Sequence, residues 1–176
     1  GFHAVTICFF PVGFFFNLDG LSVENNRNRI VNYFLTTNYD YLLLIDDDVA
    51  PPVNILELIE LDKDIIGGVY KIFRRNNGII ENGAYDLVAG KYKSIDEQGL
   101  VEVDALNGGC LLISRKVLEE IKEPFTAPRG EDGLWTLGED LSFCQKAKEA
   151  GFRVFAHFDY QCAHATEIYR HSQRHR

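Results

Sequence analysis

Methionine is absent from the 176 residues, tryptophan occurs once, and there are only four cysteines and five prolines. No unbroken apolar run approaches the roughly 20 residues of a membrane-spanning helix; the longest, such as Tyr41 to Ile45, fall far short, and no membrane span is expected. Basic charge is also short: 18 Lys and Arg stand against 26 Asp and Glu, for a formal charge of -8. A nucleic-acid footprint needs clustered cations, so no nucleic-acid partner is expected, and a phosphorylated ligand would be held through a metal. Cys8, Cys110, Cys144 and Cys162 are widely spaced and form no CxxC pair, which suggests neither a zinc site nor a disulfide framework and suits a reducing, cytoplasmic setting. Phe9 to Phe16 lacks the basic flank of a signal peptide and is broken by Pro11 and Gly13. The missing methionine, at position 1 as elsewhere, points to a processed or recombinant product. Neither GxxxxGK[ST] nor GxGxxG occurs, which excludes a P-loop and a dinucleotide-binding loop.

With 46% apolar and 25% charged residues, the chain reads as one globular domain over 1–168, followed by a basic, frayed tail over 169–176. Val5 to Phe10 reads as a buried strand, followed by turns through Gly20. Ser22 is a helix N-cap, and Val23, Ile30, Val31, Phe34 and Leu35 share a face at 3.6-residue spacing. Arg27 lies in the middle of that face, where a charge must be paired or face a ligand cleft. Tyr41 to Ile45 is a continuous apolar strand running into Asp46, Asp47 and Asp48, and Pro51-Pro52 opens a helix through Leu61. Asp64 to Tyr70 is a further strand. Lys71 to Gly99 reads as short polar strands turning at Asn76-Asn77-Gly78 and Asp96-Glu97-Gln98-Gly99. Val101 to Leu106 and Cys110 to Ile113 are strands around Asn107-Gly108-Gly109, and Arg115 to Ile121 is a short helix. Phe125 to Leu137, interrupted by Pro128, Gly130 and Gly133, reads as a mobile loop. A helix from Glu139 to Ala150 is closed by Gly151, and Phe152 to Ala156 is the last strand.

Three adjacent carboxylates at a strand end repel one another unless a cation or hydrogen-bond donors compensate them. Oxygen ligands alone suit Mg²⁺ or Mn²⁺, which bridge carboxylates to substrate phosphates; the alternative is a solvated turn capping the next helix. Glu139-Asp140 begins a helix, where the dipole favours an ionised carboxylate, either as a base or as a plain cap. His164 follows the last strand and suits a metal shell, a phosphate contact or a structural role. Trp135, five residues before Asp140, is either an aromatic platform for an acceptor sugar or a buried anchor of its loop.

Together these segments resemble the GT-A glycosyltransferases, closest to family-2-like inverting enzymes that include short bacterial and phage forms. Leu43 to Asp48 resembles their strand with a DxD motif, Leu112 to Leu118 their strand-to-helix segment, and Gly138 to Phe143 their ED motif, with His164 closing the series. The resemblance covers roughly Leu21 to Tyr70 and Asp104 to Glu167. It implies a Rossmann-like α/β fold, a mixed, mainly parallel sheet flanked by helices. Only one helix separates the first strand from the DxD strand, so one N-terminal strand-helix unit is expected to be missing. It implies transfer of a sugar from a nucleoside-diphosphate sugar to an unknown glycan, lipid or protein hydroxyl, with Mn²⁺ or Mg²⁺ as cofactor, in a bacterial or phage-infected cell. Asp46, Asp48 and His164 would form the metal site. Arg27, Asp46, Asp47, Asn107, Gly108 and Gly109 would serve the donor, with Pro11 in the segment left to contact its base. Asp140 would be the general base, with Glu139 beside it, and Trp135 would meet the acceptor.

Inverting transfer needs a base on one side of the anomeric carbon and a cation behind the departing diphosphate on the other. A sugar-phosphate nucleotidyltransferase also uses acidic metal ligands, but its basic glycine-rich loop is absent. A receiver domain would need a late lysine that cannot be placed. The non-catalytic alternative is a nucleotide-sugar or glycan-binding module.

Overall fold

The computed structural model describes residues 5–9, 13–17, 22–74 and 78–165. The strands are β1 (Val5–Phe9), β2 (Gly13–Asn17), β3 (Tyr41–Asp46), β4 (Val49–Ala50), β5 (Ile65–Val69), β6 (Lys71–Phe73), β7 (Ile80–Asn82), β8 (Ala84–Val88), β9 (Lys91–Ser94), β10 (Leu100–Val103), β11 (Ala105–Leu106), β12 (Cys110–Ser114), β13 (Val154–Gln161) and β14 (Ala163–His164). The helices are α1 (Val23–Leu35), α2 (Arg115–Glu120) and α3 (Glu139–Glu149), with a 3-10 helix at Ile55–Leu61.

Seven strands form the main sheet in the order β10-β13-β5-β12-β3-β1-β2, and β11-β8-β9, β14-β4 and β6-β7 form smaller sheets. The leucines of β3 show why its sequence is continuously apolar. Leu42 and Leu44 belong to one core cluster and Leu43 to the other, because successive side chains leave a strand on opposite faces. On the first face lie Ile30, Val31 and Phe34 of α1, Val117 and Leu118 of α2, and Phe143 and Ala147 of α3. On the second lie Ile55 and Leu58 of the 3-10 helix, with Tyr70 and Phe155.

This architecture overturns the expected mainly parallel, helix-flanked sheet. Among the described residues, β13 against β5 is the one parallel pairing of the large sheet, and its other neighbours all run antiparallel. The three α-helices contribute to the core of one face, and only the 3-10 helix stands on the other. The misreading has a physical cause: an apolar run reports burial on both faces, whichever way the neighbouring strands point.

Local differences follow. Instead of turns, β2 pairs along β1 as a hairpin. The helix expected from Pro51 is a 3-10 helix beginning at Ile55. Val101 to Leu106 divides between β10 in the main sheet and β11 beside β8. The β8-β9 hairpin turns at Ala89 and Gly90, both at positive φ. The last strand runs on to Gln161, with an irregular register after His157, before β14. Asn76, Asn77, Pro11 and the tail over 169–176 lie outside the described residues.

Two hydrogen-bonding side chains set α1 in place. The Ser22 hydroxyl accepts from Asn25 N–H at 3.4 Å, capping the start. At the other end, Arg115 donates to the carbonyls of Thr37 at 2.7 Å and Phe34 at 3.3 Å, placing a cation where the helix dipole is negative.

Candidate functional site

Asp46 ends β3, and its N–H donates to the Gly109 carbonyl at 3.0 Å, so the Asp run and the Asn107-Gly108-Gly109 turn lie side by side at one end of the sheet. Arg27 reaches this point from α1. Its guanidinium donates to both oxygens of Asp46, at 2.9 and 3.1 Å, and to Glu139 at 2.7 Å. One face of the guanidinium lies over the Phe125 ring, 5.6 Å from its centroid. Only 2% of Arg27 is exposed, so the fork is a buried ion pair joining β3 to the first turn of α3.

Close packing leaves room for hydrogen alone at Gly108. A Cβ there would stand 2.2 Å from Arg27 Nη1 and 2.5 Å from Cζ. The Gly108 N–H donates to Asp140 Oδ2 at 3.1 Å, while Leu141 N–H donates to Asp140 Oδ1 at 2.8 Å. Both oxygens of Asp140 are thereby fixed in direction. Three carboxylates, Asp46, Glu139 and Asp140, act on the one buried guanidinium and hold its proton more firmly than usual. The carboxyl of Glu139 is also raised: burial pushes its pKa up, against the pull of Arg27 and with the repulsion of Asp140 and Asp46. Burial works against the rise at Arg27, where three carboxylates outweigh it, and is the largest cause of the rise at Glu139. The cluster carries excess negative charge.

His164 is brought to Asp48 by the β4-β14 ladder, in which His164 is the partner of Val49. His164 Nδ1 lies 3.1 Å from the Lys71 carbonyl and Nε2 lies 3.2 Å from Asp48 Oδ2. A carbonyl can only accept, so Nδ1 carries the proton of that contact. Nε2 then faces a carboxylate and is at ease there only with a cation between them, a proton or a metal ion. Neighbouring ligands of an octahedral ion at about 2.1 Å stand about 3 Å apart, close to the Asp48–His164 separation. That separation is equally that of an imidazole–carboxylate hydrogen bond, so the pair accommodates a proton as well as Mg²⁺ or Mn²⁺. Among the described residues no group of three or more His, Cys, Asp and Glu converges to hold a metal. Such an ion would take two protein ligands and complete its shell with water and phosphate oxygens. Asp46, expected in the metal set, is committed to Arg27 instead, and Asp47 is exposed at the turn and makes none of these contacts.

Two tyrosines join the site that the sequence reading missed. Tyr70 is buried, accepts from Gly109 N–H at 3.1 Å, and lies 5.2 Å from the His164 ring. Tyr85 accepts from Arg74 at 3.0 Å and from the Asn107 side chain; burial raises its pKa to about 12. Both read in the sequence as ordinary core aromatics, with no motif around them.

Residues 128–136 are a hydrogen-bonded hairpin rather than the expected mobile loop. Gly130 N–H donates to the Leu134 carbonyl at 2.8 Å, Thr136 N–H to Pro128 at 3.0 Å, and Arg129 to Gly133 at 3.0 Å. Trp135 is 61% exposed and is therefore not a buried anchor. Pro11 lies outside the described residues, so the expected base contact has no counterpart among them.

No protein-family model and no curated protein matches the chain. Among solved structures it is similar to A197 from STIV, a viral protein, with a TM-score of 0.57 and 22% identity over 81% of this chain and 67% of that one. That likeness concerns the fold alone.

Proposed function

We propose that the protein is a metal-dependent glycosyltransferase, moving a sugar from a nucleoside-diphosphate sugar to an acceptor hydroxyl with inversion. The observation that carries this reading is the Asp48–His164 pair, poised for a cation, at the same sheet end as the fixed carboxylate of Asp140. Asp48 and His164 would hold Mn²⁺ or Mg²⁺, which supplies positive charge to the departing diphosphate. Gly108 and Gly109 let Arg27 and Tyr70 pack against the turn, and Arg27 in turn holds Asp46 at that end of the sheet. Asp140 takes the acceptor proton as the acceptor oxygen bonds to the anomeric carbon and the bond to the diphosphate oxygen breaks. The backbone donors from Gly108 and Leu141 fix the direction of its carboxylate.

Those same two contacts favour a second reading, a non-catalytic nucleotide-sugar module, because they satisfy Asp140 without any substrate. Incubation of the protein with a panel of nucleotide sugars and Mn²⁺, followed by NMR of the released or transferred sugar, separates the two. Release of nucleoside diphosphate with an inverted anomer is the expected result. Metal-dependent binding without release of any donor supports the module instead.

A further inference from the structure

A Cβ at Gly109 would stand 2.5 Å from the Tyr70 hydroxyl oxygen, 2.8 Å from Tyr70 Cζ and 2.9 Å from Val49 Cγ2. Both neighbours also adjoin His164. The Tyr70 and His164 ring centroids lie 5.2 Å apart, and Val49 is the strand partner of His164 in the β4-β14 ladder. On the far side of the same turn, the Gly108 N–H donates to Asp140 Oδ2 at 3.1 Å. The turn therefore stands between the Asp48–His164 pair and the carboxylate of Asp140.

We infer that Tyr70 is a positioning residue that makes the setting of Asp140 depend on occupancy of the Asp48–His164 pair. The inference deepens the transfer reading, as a control on its base, and rests on it.

Tyr70 is tied at three points. Its hydroxyl accepts from Gly109 N–H at 3.1 Å, its ring meets the imidazole, and its carbonyl accepts from Gly83 N–H at 3.0 Å. The next residue, Lys71, accepts from His164 Nδ1 through its carbonyl at 3.1 Å, so backbone and ring contact join the phenol to the imidazole. Tyr70 is buried, and a close-packed side chain displaced on one side is felt on the other.

Occupancy acts on this link through charge. A cation at His164 Nε2 withdraws electrons from the imidazole, and the electron-rich Tyr70 ring stands within the roughly 6 Å over which a positive group attracts it. The turn has room to answer. Its bonds to Tyr70 and to Asp140 are both 3.1 Å, longer than the usual length of about 2.9–3.0 Å, and each can shorten. Drawing Tyr70 toward His164 tightens the turn and fixes Asp140 more firmly. Asp140 is then fully set only when cation and diphosphate are in place.

The test is NMR of the full chain titrated with Mg²⁺ and methylenediphosphonate, a diphosphate analogue without sugar or base. His164 ring signals read the pair, the Tyr70 Cζ signal from isotope-labelled tyrosine reads the hydroxyl, and amide exchange at Gly108 reads the turn. In the parent all three should respond with one midpoint, and Gly108 exchange should slow about tenfold, within the ordinary range of coupling between sites. Tyr70→Phe keeps the ring and loses the hydroxyl. There the His164 signals should still respond and Gly108 exchange should not. A merely structural tyrosine would leave Gly108 as responsive in Tyr70→Phe as in the parent, and that result overturns the inference. So does a Gly108 response that survives Asp48→Asn. The parent alone also decides: His164 signals that move while Tyr70 Cζ or Gly108 stays unchanged defeat the inference and spare the metal. His164 signals indifferent to Mg²⁺ with the diphosphonate defeat the metal-dependent reading, and the inference with it.

Discussion

Asp48 Oδ2 and His164 Nε2 stand 3.2 Å apart although 116 positions separate them in the chain. A proton or a metal ion between them satisfies both, and the proposed function puts the ion there once a nucleoside diphosphate binds. Nucleoside diphosphate binding should therefore need Mn²⁺ or Mg²⁺ and be lost in EDTA. Asp48→Asn and His164→Ala should each weaken the metal-dependent binding roughly 10- to 100-fold, read by calorimetry, with urea unfolding to show that the fold persists. Undiminished affinity in EDTA would remove the metal from the reading.

Asp140 separates turnover from binding. Asp140→Asn should leave Mn²⁺ and nucleoside diphosphate affinity in place and lower sugar release or transfer by about 10²- to 10⁴-fold. A variant as active as the parent would show that the proton goes elsewhere.

Gly108→Ala drives a methyl group into the buried Arg27 fork, whereas at Gly83 the nearest side-chain atom to an added Cβ is 3.3 Å away. Overpacking at such a site costs about 1–3 kcal/mol. Urea unfolding should place Gly108→Ala in that range and Gly83→Ala near the parent, and only the former should lose nucleotide affinity.

Glu139 has its pKa raised in the folded chain, chiefly by burial. A group shifted upward adds stability that is complete below its ordinary pKa, here 4.5, and is lost as pH rises through the folded value. The stability of Glu139→Gln relative to the parent should thus increase from pH 4 toward neutrality. A difference constant across urea unfolding curves in that range would show that Glu139 does not carry the shift.

Much of the chain's local order is legible in its residues. Ser22 opens a helix, Leu42 to Leu44 are buried in a strand, and Glu139 starts a helix that Gly151 follows, because caps and periodicity act over a few residues. Strand direction is set by partners far along the chain and leaves no trace in an apolar run, so the mainly parallel sheet was misread. The Phe125 to Leu137 stretch looked mobile because its prolines and glycines break periodicity, yet Asp132 and Arg129 tie it through hydrogen bonds that no period reveals. At the site, the charge in the middle of the apolar face of α1 marked Arg27. Its second partner, Glu139, depends on how α3 docks. Tyr70 and Tyr85 carried no sign at all, since a buried aromatic near a ligand reads the same as one in the core.

The late strand β13 lies inside the main sheet, between β10 and β5, and β14 with His164 follows it. During synthesis or refolding, Asp48 waits for its histidine until this interior strand has inserted. Until then β5, with Ile65 and Ile66, presents an unpaired apolar edge of the kind that recruits other chains. Acquisition of cation-dependent nucleotide affinity should accordingly be among the last events of maturation, and the interval before it is when nascent chains are most exposed to aggregation and to chaperones.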